Sequence, residues 1–401
     1  MTTLPPASAE FHDRLARLRQ RLDDHCPDWE AAVVTRKMSI YYLTGALVSG
    51  ALWIPRDGKE TLFVRRGFGQ ARCDATCDIR PMRGYRDMAE ALGPTPGRLW
   101  MEKDGLMLST FDYFNKYFNV ETVEPLDGHL MALRAVKSPY EVDCLRHAGV
   151  IHAEVLEEVV PKLLVEGISE AQLGMQIFKE TVDRGSQGLV RLNMFEVDLL
   201  FGYVCFGTSS LLANDFDGPG GVCGLGTTVR CMGSRNRKLA RGDLVFIDSV
   251  CTYEGYHTDK TAIYLFGTPD DQNVEERIRA AHEKCTSIHV DLACNLKPGV
   301  RPSDLYASTM EGLDEEFCKN FMGYADQQVR FLGHGVGLTI DEPPALAKGF
   351  DEPLVENMVL ALEPKYAIEG VGMVGTENTY LVTPDGGERL TGRRLDLIEV
   401  G

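Results

Sequence analysis

The chain has 401 residues, 44% of them hydrophobic and 25% charged, with a formal net charge of −17. This length suits two domains better than one core. The acidic balance argues against nucleic acid or an anionic membrane surface as a partner.

In chain order, the opening MTTLPPASAEFHDRL lacks a basic region followed by an apolar run, so no secretory signal is expected. No stretch reaches the ~18 apolar residues of a membrane span. The eleven cysteines have no framework of spacings and read as reduced thiols of a cytoplasmic protein. Residues 11–24 form an amphipathic helix. Residues 31–45 (AAVVTRKMSIYYLTG) and 50–66 read as strands joined by the turn Arg56-Asp57-Gly58. A strand at 98–105 and a helix over STFDYFNKYF complete an α/β domain spanning 1–137. A second domain, 138–401, begins on a long helix that Ser138, Pro139 and Glu141 mark as a capping box. Ser169 and Gln172 open another helix, which stops at Gly185. Strands follow: GLVRLNMF, DLLFGYVCFG and DLVFIDSVCTYEGYHTDKTAIYLF. The order then repeats, with a helix over 271–295, one capped by Ser303 and running to about Gly323, and strands QVRFLGHG, VENMVLALEPKYAIEG and VGTENTYLVTPDG. Helices set apart from antiparallel hairpins indicate α+β. Two such halves would join their sheets and leave a cleft.

Acids stand where these strands should be buried. Asp248 ends LVFID, TYEG reads as a turn, and Asp259 lies on the return strand. Facing residues of such a pair hold their Cβ atoms ~4.5–5.5 Å apart, close enough to share one ion. Glu363 follows MVLAL and Glu377 opens ENTYLVT, on either side of the Gly370–Gly375 loop. His334 sits among glycines in FLGHGVGL. Buried, unpaired carboxylates are costly, and divalent cations remove that cost. Four carboxylates with one imidazole suit two ions of the Mn²⁺, Fe²⁺, Co²⁺ or Zn²⁺ type.

IDSVCTYEGYHTD, GHGVGL, LEP and GTENTYLVTPDGGERLT resemble the signature stretches of the pita-bread metallopeptidases, family M24, over residues ~138–395. IYYLTG and LRAVKSPYEV resemble the N-terminal domain of its creatinase and prolidase branch. The resemblance implies a pita-bread catalytic domain behind a smaller creatinase-like α/β domain, and a cytoplasmic homodimer. It also implies a dinuclear centre, manganese among the candidates. Asp248 would bind one ion, Asp259 and Glu377 would bridge, and His334 and Glu363 would complete the other. A metal-bridged hydroxide would cleave short Xaa-Pro peptides, with Glu363 as the proton shuttle.

The departures bear on substrate. The family's second histidine, seven residues past the ligand histidine, is Asp341 here. Its arginine two before the last glutamate is Gly375. The loop GTSSLLANDFDGPGG offers Asp215 and Asp217 where another histidine is expected. Asp341 could meet a cationic substrate group. His257, two before Asp259, shares its face and could supply a missing donor. The alternative is a small zwitterionic substrate, handled by a creatinase-like C–N hydrolase or a lyase resembling the dimethylsulfoniopropionate enzyme.

Overall fold

The computed structural model describes residues 8–194 and 196–401. Residues 1–7 of the opening segment, and Phe195 of GLVRLNMF, lie outside the described residues. The chain divides into two compact units, one ending at Arg134 and the other Ala135–Gly401. No helix among the described residues is long and apolar enough to cross a membrane.

The first unit is built on six strands: β1 Ala31–Val34, β2 Ser49–Pro55, β3 Thr61–Arg66, β4 Asp78–Pro81, β5 Arg98–Met101 and β6 Thr122–Pro125. They lie in the order β4-β3-β2-β1-β5-β6. The expected helix over 11–24 is observed as Ser8–His25, which buries Phe11, Leu15, Leu18 and Leu22. Residues 31–45 are not one strand. The chain leaves β1 at Val34 and forms a helix, Lys37–Thr44, closed by Gly45 at φ 81° with its N–H donated to Tyr41 O. Isoleucine and tyrosine side chains give this segment a strand-like composition. A left-handed glycine at its end is the helix signal.

In the second unit both capping boxes form. Ser138 Oγ accepts from Glu141 N at the head of helix Pro139–Glu154, and Ser169 Oγ accepts from Gln172 N at the head of Glu170–Asp183. No strand covers 188–194; the first strand is β7, Gly202–Phe206. It is followed by β8 Asp243–Tyr253 and β9 Tyr256–Phe266. The helix expected over 271–295 is Gln272–Asn295. The helix assigned to a Ser303 cap begins instead at Pro302, with Arg301 at the cap position, and ends at Glu311. Proline at the first helical position moves the start forward, and Ser303 Oγ is engaged by Asp351 at 2.6 Å. The later strands are β10 Phe331–Gly335, β11 Glu342–Ala347, β12 Val359–Leu362, β13 Lys365–Ile368, β14 Gly372–Gly375, β15 Glu377–Thr383, β16 Gly386–Arg389 and β17 Ile398–Val400.

The two sets of strands do join, in the order β11-β10-β12-β15-β9-β8-β7. The seam is β9 against β15, where Thr261 faces Glu377 and Lys260 faces Asn378. β13 and β14 leave this sheet as a separate ribbon. The segment between Glu363 and Glu377 is therefore a hairpin, but residues 372–375 are strand, not loop.

Helix Pro139–Glu154 packs close to the backbone near Leu390: a Cβ on Gly149 would lie 2.1 Å from Leu390 O. Alanine ordinarily favours a helix over glycine by about 1 kcal/mol. Here Gly149→Ala should destabilise by about 1–3 kcal/mol through overpacking, read as a lower denaturant midpoint. A gain in stability would refute this packing.

Candidate metal centre

Five side chains that lie far apart in sequence converge at the seam. The β8–β9 turn is the two-residue Glu254-Gly255, both at positive φ (48° and 83°), which suits the twist of a tight hairpin. That turn sets the register: Asp248 faces Thr261 and Asp259 faces Val250. The two aspartates are diagonal neighbours on one face, not opposed residues, and β8 runs five residues beyond Asp248 before turning. Glu363 and Glu377 occupy the points where the chain passes between the wide sheet and the β13–β14 ribbon. His334 lies in β10, opposite Ala361 of β12.

His334 Nδ1 faces Gly335 O at 3.2 Å. A carbonyl only accepts, so Nδ1 carries the proton and the Nε2 lone pair is left for a cation. Around Nε2 stand Glu363 Oε1 at 3.4 Å, Asp259 Oδ2 at 3.9 Å and Glu377 Oε1 at 3.9 Å. Ligand atoms of Asp259, His334 and Glu377 all lie within 4.8 Å of one another. Asp259 Oδ1 and Glu377 Oε1 are buried with no hydrogen-bond partner. Two orphaned carboxylate oxygens in a cluster that also holds an imidazole nitrogen fit a divalent cation.

The sequence reading overlooked Lys365. Its ammonium is fully buried and reaches Glu377 Oε2 at 2.7 Å, Asp248 Oδ2 at 2.8 Å and Glu363 Oε2 at 3.0 Å. Burial alone would lower its pKa, but the carboxylates of Asp248, Glu363 and Glu377 outweigh that and hold it well above its ordinary value. Burial also pushes up the carboxyls of Asp248, Asp259 and Glu377. Asp248 rises to about 6, against the pull of Lys365. Asp259 rises well above its ordinary value, with the charges of Glu377 and Asp248 adding to burial. Glu377 rises through burial and then the charge of Glu363.

The centre opens on a cavity of about 880 Å³ whose walls include Tyr203, Phe216, Arg230, Phe331 and Ile340. Asp215 and Asp217 lie at its wall as exposed residues. The other two substrate candidates are engaged elsewhere. His257 is fully buried; its Nδ1 donates to Gly337 O at 2.8 Å and its Nε2 accepts from Arg191 N at 3.0 Å. Both ring nitrogens tie backbone to backbone, so His257 supplies no donor to the cavity. Asp341 reaches the cavity wall, but its carboxylate accepts from Asn193 N at 2.7 and 2.9 Å and from Met194 N at 3.1 Å. It fastens the 193–194 loop rather than awaiting a cationic group.

Two comparisons with known families match. A model described as Metallopeptidase family M24 covers residues 143–384, and one described as Creatinase/Prolidase N-terminal domain covers 14–136. Among curated relatives, the Xaa-Pro dipeptidase of Pyrococcus furiosus is 26% identical over 96% of this chain and 99% of its own length. The putative dipeptidase YkvY of Bacillus subtilis is 28% identical over 92% of this chain and 95% of its own. Among solved structures, dipeptidase PepE from Mycobacterium ulcerans superposes with a TM-score of 0.78 at 24% identity, covering 99% of this chain and 100% of that one. The X-Pro aminopeptidase of Thermotoga maritima gives 0.76 at 21%, covering 96% and 99%. These superpositions bear out the pita-bread fold.

The elevated Asp248 pKa has a definite sign. The protonated form stabilises the metal-free fold fully below about pH 4, and this contribution is lost as pH rises through about 6. In chelator, the melting temperature of the wild type should therefore fall more steeply between pH 4 and 6.5 than that of Asp248→Asn. Parallel curves would refute this assignment. Separately, Asp341→Ala should cost about 1 kcal/mol by removing the hydrogen bonds to the Asn193 and Met194 amides. It should also speed proteolysis near residues 193–194; unchanged protease sensitivity would contradict the anchoring role.

Proposed function

Because the chain belongs to metallopeptidase family M24, we propose that it is a metal-dependent hydrolase of short Xaa-Pro peptides, a prolidase-like or aminopeptidase P-like enzyme. The observation that carries this reading is the convergence of Asp259, His334, Glu363 and Glu377 around buried, unpartnered oxygens at the floor of a cavity large enough for a dipeptide. Full-length similarity to the Xaa-Pro dipeptidase of P. furiosus supports the substrate class. A small zwitterion handled by creatinase-like or lyase chemistry draws no support from the relatives reported above.

A divalent cation bound here would supply Lewis acidity and an acidified water. The residues supply the rest. His334 presents a lone pair of fixed direction. Glu363 offers one oxygen beside His334, while its other oxygen is fixed by Lys365, so its carboxylate plane cannot rotate freely. That position suits it to hold a proton and pass it to the leaving amine. Tyr203 lines the cavity; its pKa is raised well above the ordinary value by burial and then by the Asp248 carboxylate, so it remains a hydroxyl donor facing substrate. The reading includes manganese as the metal, which an oxygen-rich set with one imidazole suits. It also includes a homodimer in the cytoplasm, a compartment with which eleven unpaired cysteines agree.

Purified protein supplemented with Mn²⁺, Co²⁺ or Zn²⁺ should release proline from Xaa-Pro dipeptides. Glu363→Gln should lower kcat by about 10²-fold or more. Turnover of creatine or a sulfonium zwitterion with no action on any Xaa-Pro di- or tripeptide would overturn the peptide assignment.

A further inference from the structure

We propose that the Lys365 ammonium is itself the second cation of this centre, so that the protein takes one divalent ion, held by Asp259, His334, Glu363 and Glu377. The inference rests on the metal-dependent reading above and revises the expectation of two ions.

The geometry divides the carboxylates into two cation positions. Glu363 and Glu377 each turn Oε2 to Lys365 and Oε1 towards His334. Asp248 completes the first position through Oδ2, and Asp259 completes the second. A pair of carboxylates thus bridges two places for positive charge, as in a dinuclear site, but one place holds a covalently attached ammonium. An ammonium has three N–H donors, and each meets a different carboxylate at 2.7–3.0 Å. Metal–oxygen bonds in such sites are about 2.0–2.2 Å. A metal ion among the same three oxygens would have to displace the ammonium from the point it occupies.

The lysine is also anchored at its backbone. Lys365 is fully buried, and its backbone carbonyl accepts from Met322 N at 2.9 Å. It is paired across the ribbon with Gly375, whose φ is +125°. A Cβ at 375 would lie 2.3 Å from Pro364 O and 2.7 Å from Lys365 Cα. The two ribbon backbones therefore lie close together beside the lysine, which fixes where its stem begins. Charge agrees with the geometry. The ammonium already neutralises part of the four-carboxylate cluster, and one divalent ion leaves it mildly negative. Two divalent ions beside a retained ammonium would crowd three cations together.

On this assignment Asp248 is a positioning residue that holds Lys365, and it binds no metal. The test is stoichiometry, which does not depend on turnover. Chelated wild type should take up one equivalent of Mn²⁺ by calorimetry and by elemental analysis after desalting. Its electron paramagnetic resonance spectrum should show an isolated six-line signal. Lys365→Ala, checked for folding by circular dichroism, should take up two equivalents and show exchange coupling. Two tightly held equivalents in the wild type would overturn the inference while leaving the peptidase reading intact. A folded Lys365→Ala that still takes only one ion would overturn it too. If the variant does not fold, the wild-type count and spectrum decide alone. Failure of the wild type to hold any ion would remove the metal-dependent reading, and this inference with it; proline release from Xaa-Pro dipeptides reports on that reading separately.

Discussion

Four carboxylates buried in one cleft cannot all stay ionised unless cations sit among them, and the second unit is arranged around that constraint. Each such group taken out of water without a partner costs several kcal/mol. The fold gathers them at the seam where β9 meets β15, through Thr261 opposite Glu377 and Lys260 opposite Asn378. The same seam carries side-chain bonds across it. Thr261 Oγ1 donates to Glu377 Oε2 at 2.9 Å and Lys260 Nζ to Asn378 Oδ1 at 2.7 Å. Joining the two sets of strands and assembling the cation centre therefore use the same residues. Whatever neutralises the carboxylates also holds the sheet together at its shortest ladder.

The parts of this arrangement that were readable in the sequence were those governed by local rules. Ser138 with Glu141, and Ser169 with Gln172, announce their helices because a hydroxyl and a carboxyl or amide satisfy the first free amides. The β8–β9 hairpin was readable from an apolar run, a glycine turn and a second apolar run. What local rules could not supply was register. The aspartates lie diagonally because the turn is two residues long, and nothing in the spacing of the acids says so. The helix Lys37–Thr44 was misread because branched and aromatic side chains serve a buried helix as well as a buried strand.

Lys365 escaped notice for a more general reason. Lysine is seldom fully buried unless paired, so a lysine after Glu-Pro reads as a solvated strand end. A signal was present: residues two apart on an extended chain share a face, which places Lys365 beside Glu363. His257 shows the limit of the same rule. It shares a face with Asp259, yet its ring is consumed by Arg191 N and Gly337 O. Periodicity says which way a side chain points. It does not say what has already claimed its polar atoms.

Those claims shape the cavity's chemistry. His257 and Asp341 spend their polar atoms on the backbone of 191, 193, 194 and 337, so neither is available to steady a developing negative charge on substrate. The cavity wall includes Tyr203, stacked on Phe216 at 4.6 Å between ring centres. Phe216 belongs to the loop that carries Asp215 and Asp217, so the loop's position and the tyrosine's orientation are set together. Beside the carboxylates, electrostatic stabilisation of a developing charge draws on the cations held there as well as on such donors. One of those cations, Lys365, spends all three donors on carboxylates. It can therefore set the charge of the floor and the orientation of Glu363, but it has no hydrogen left to offer a substrate.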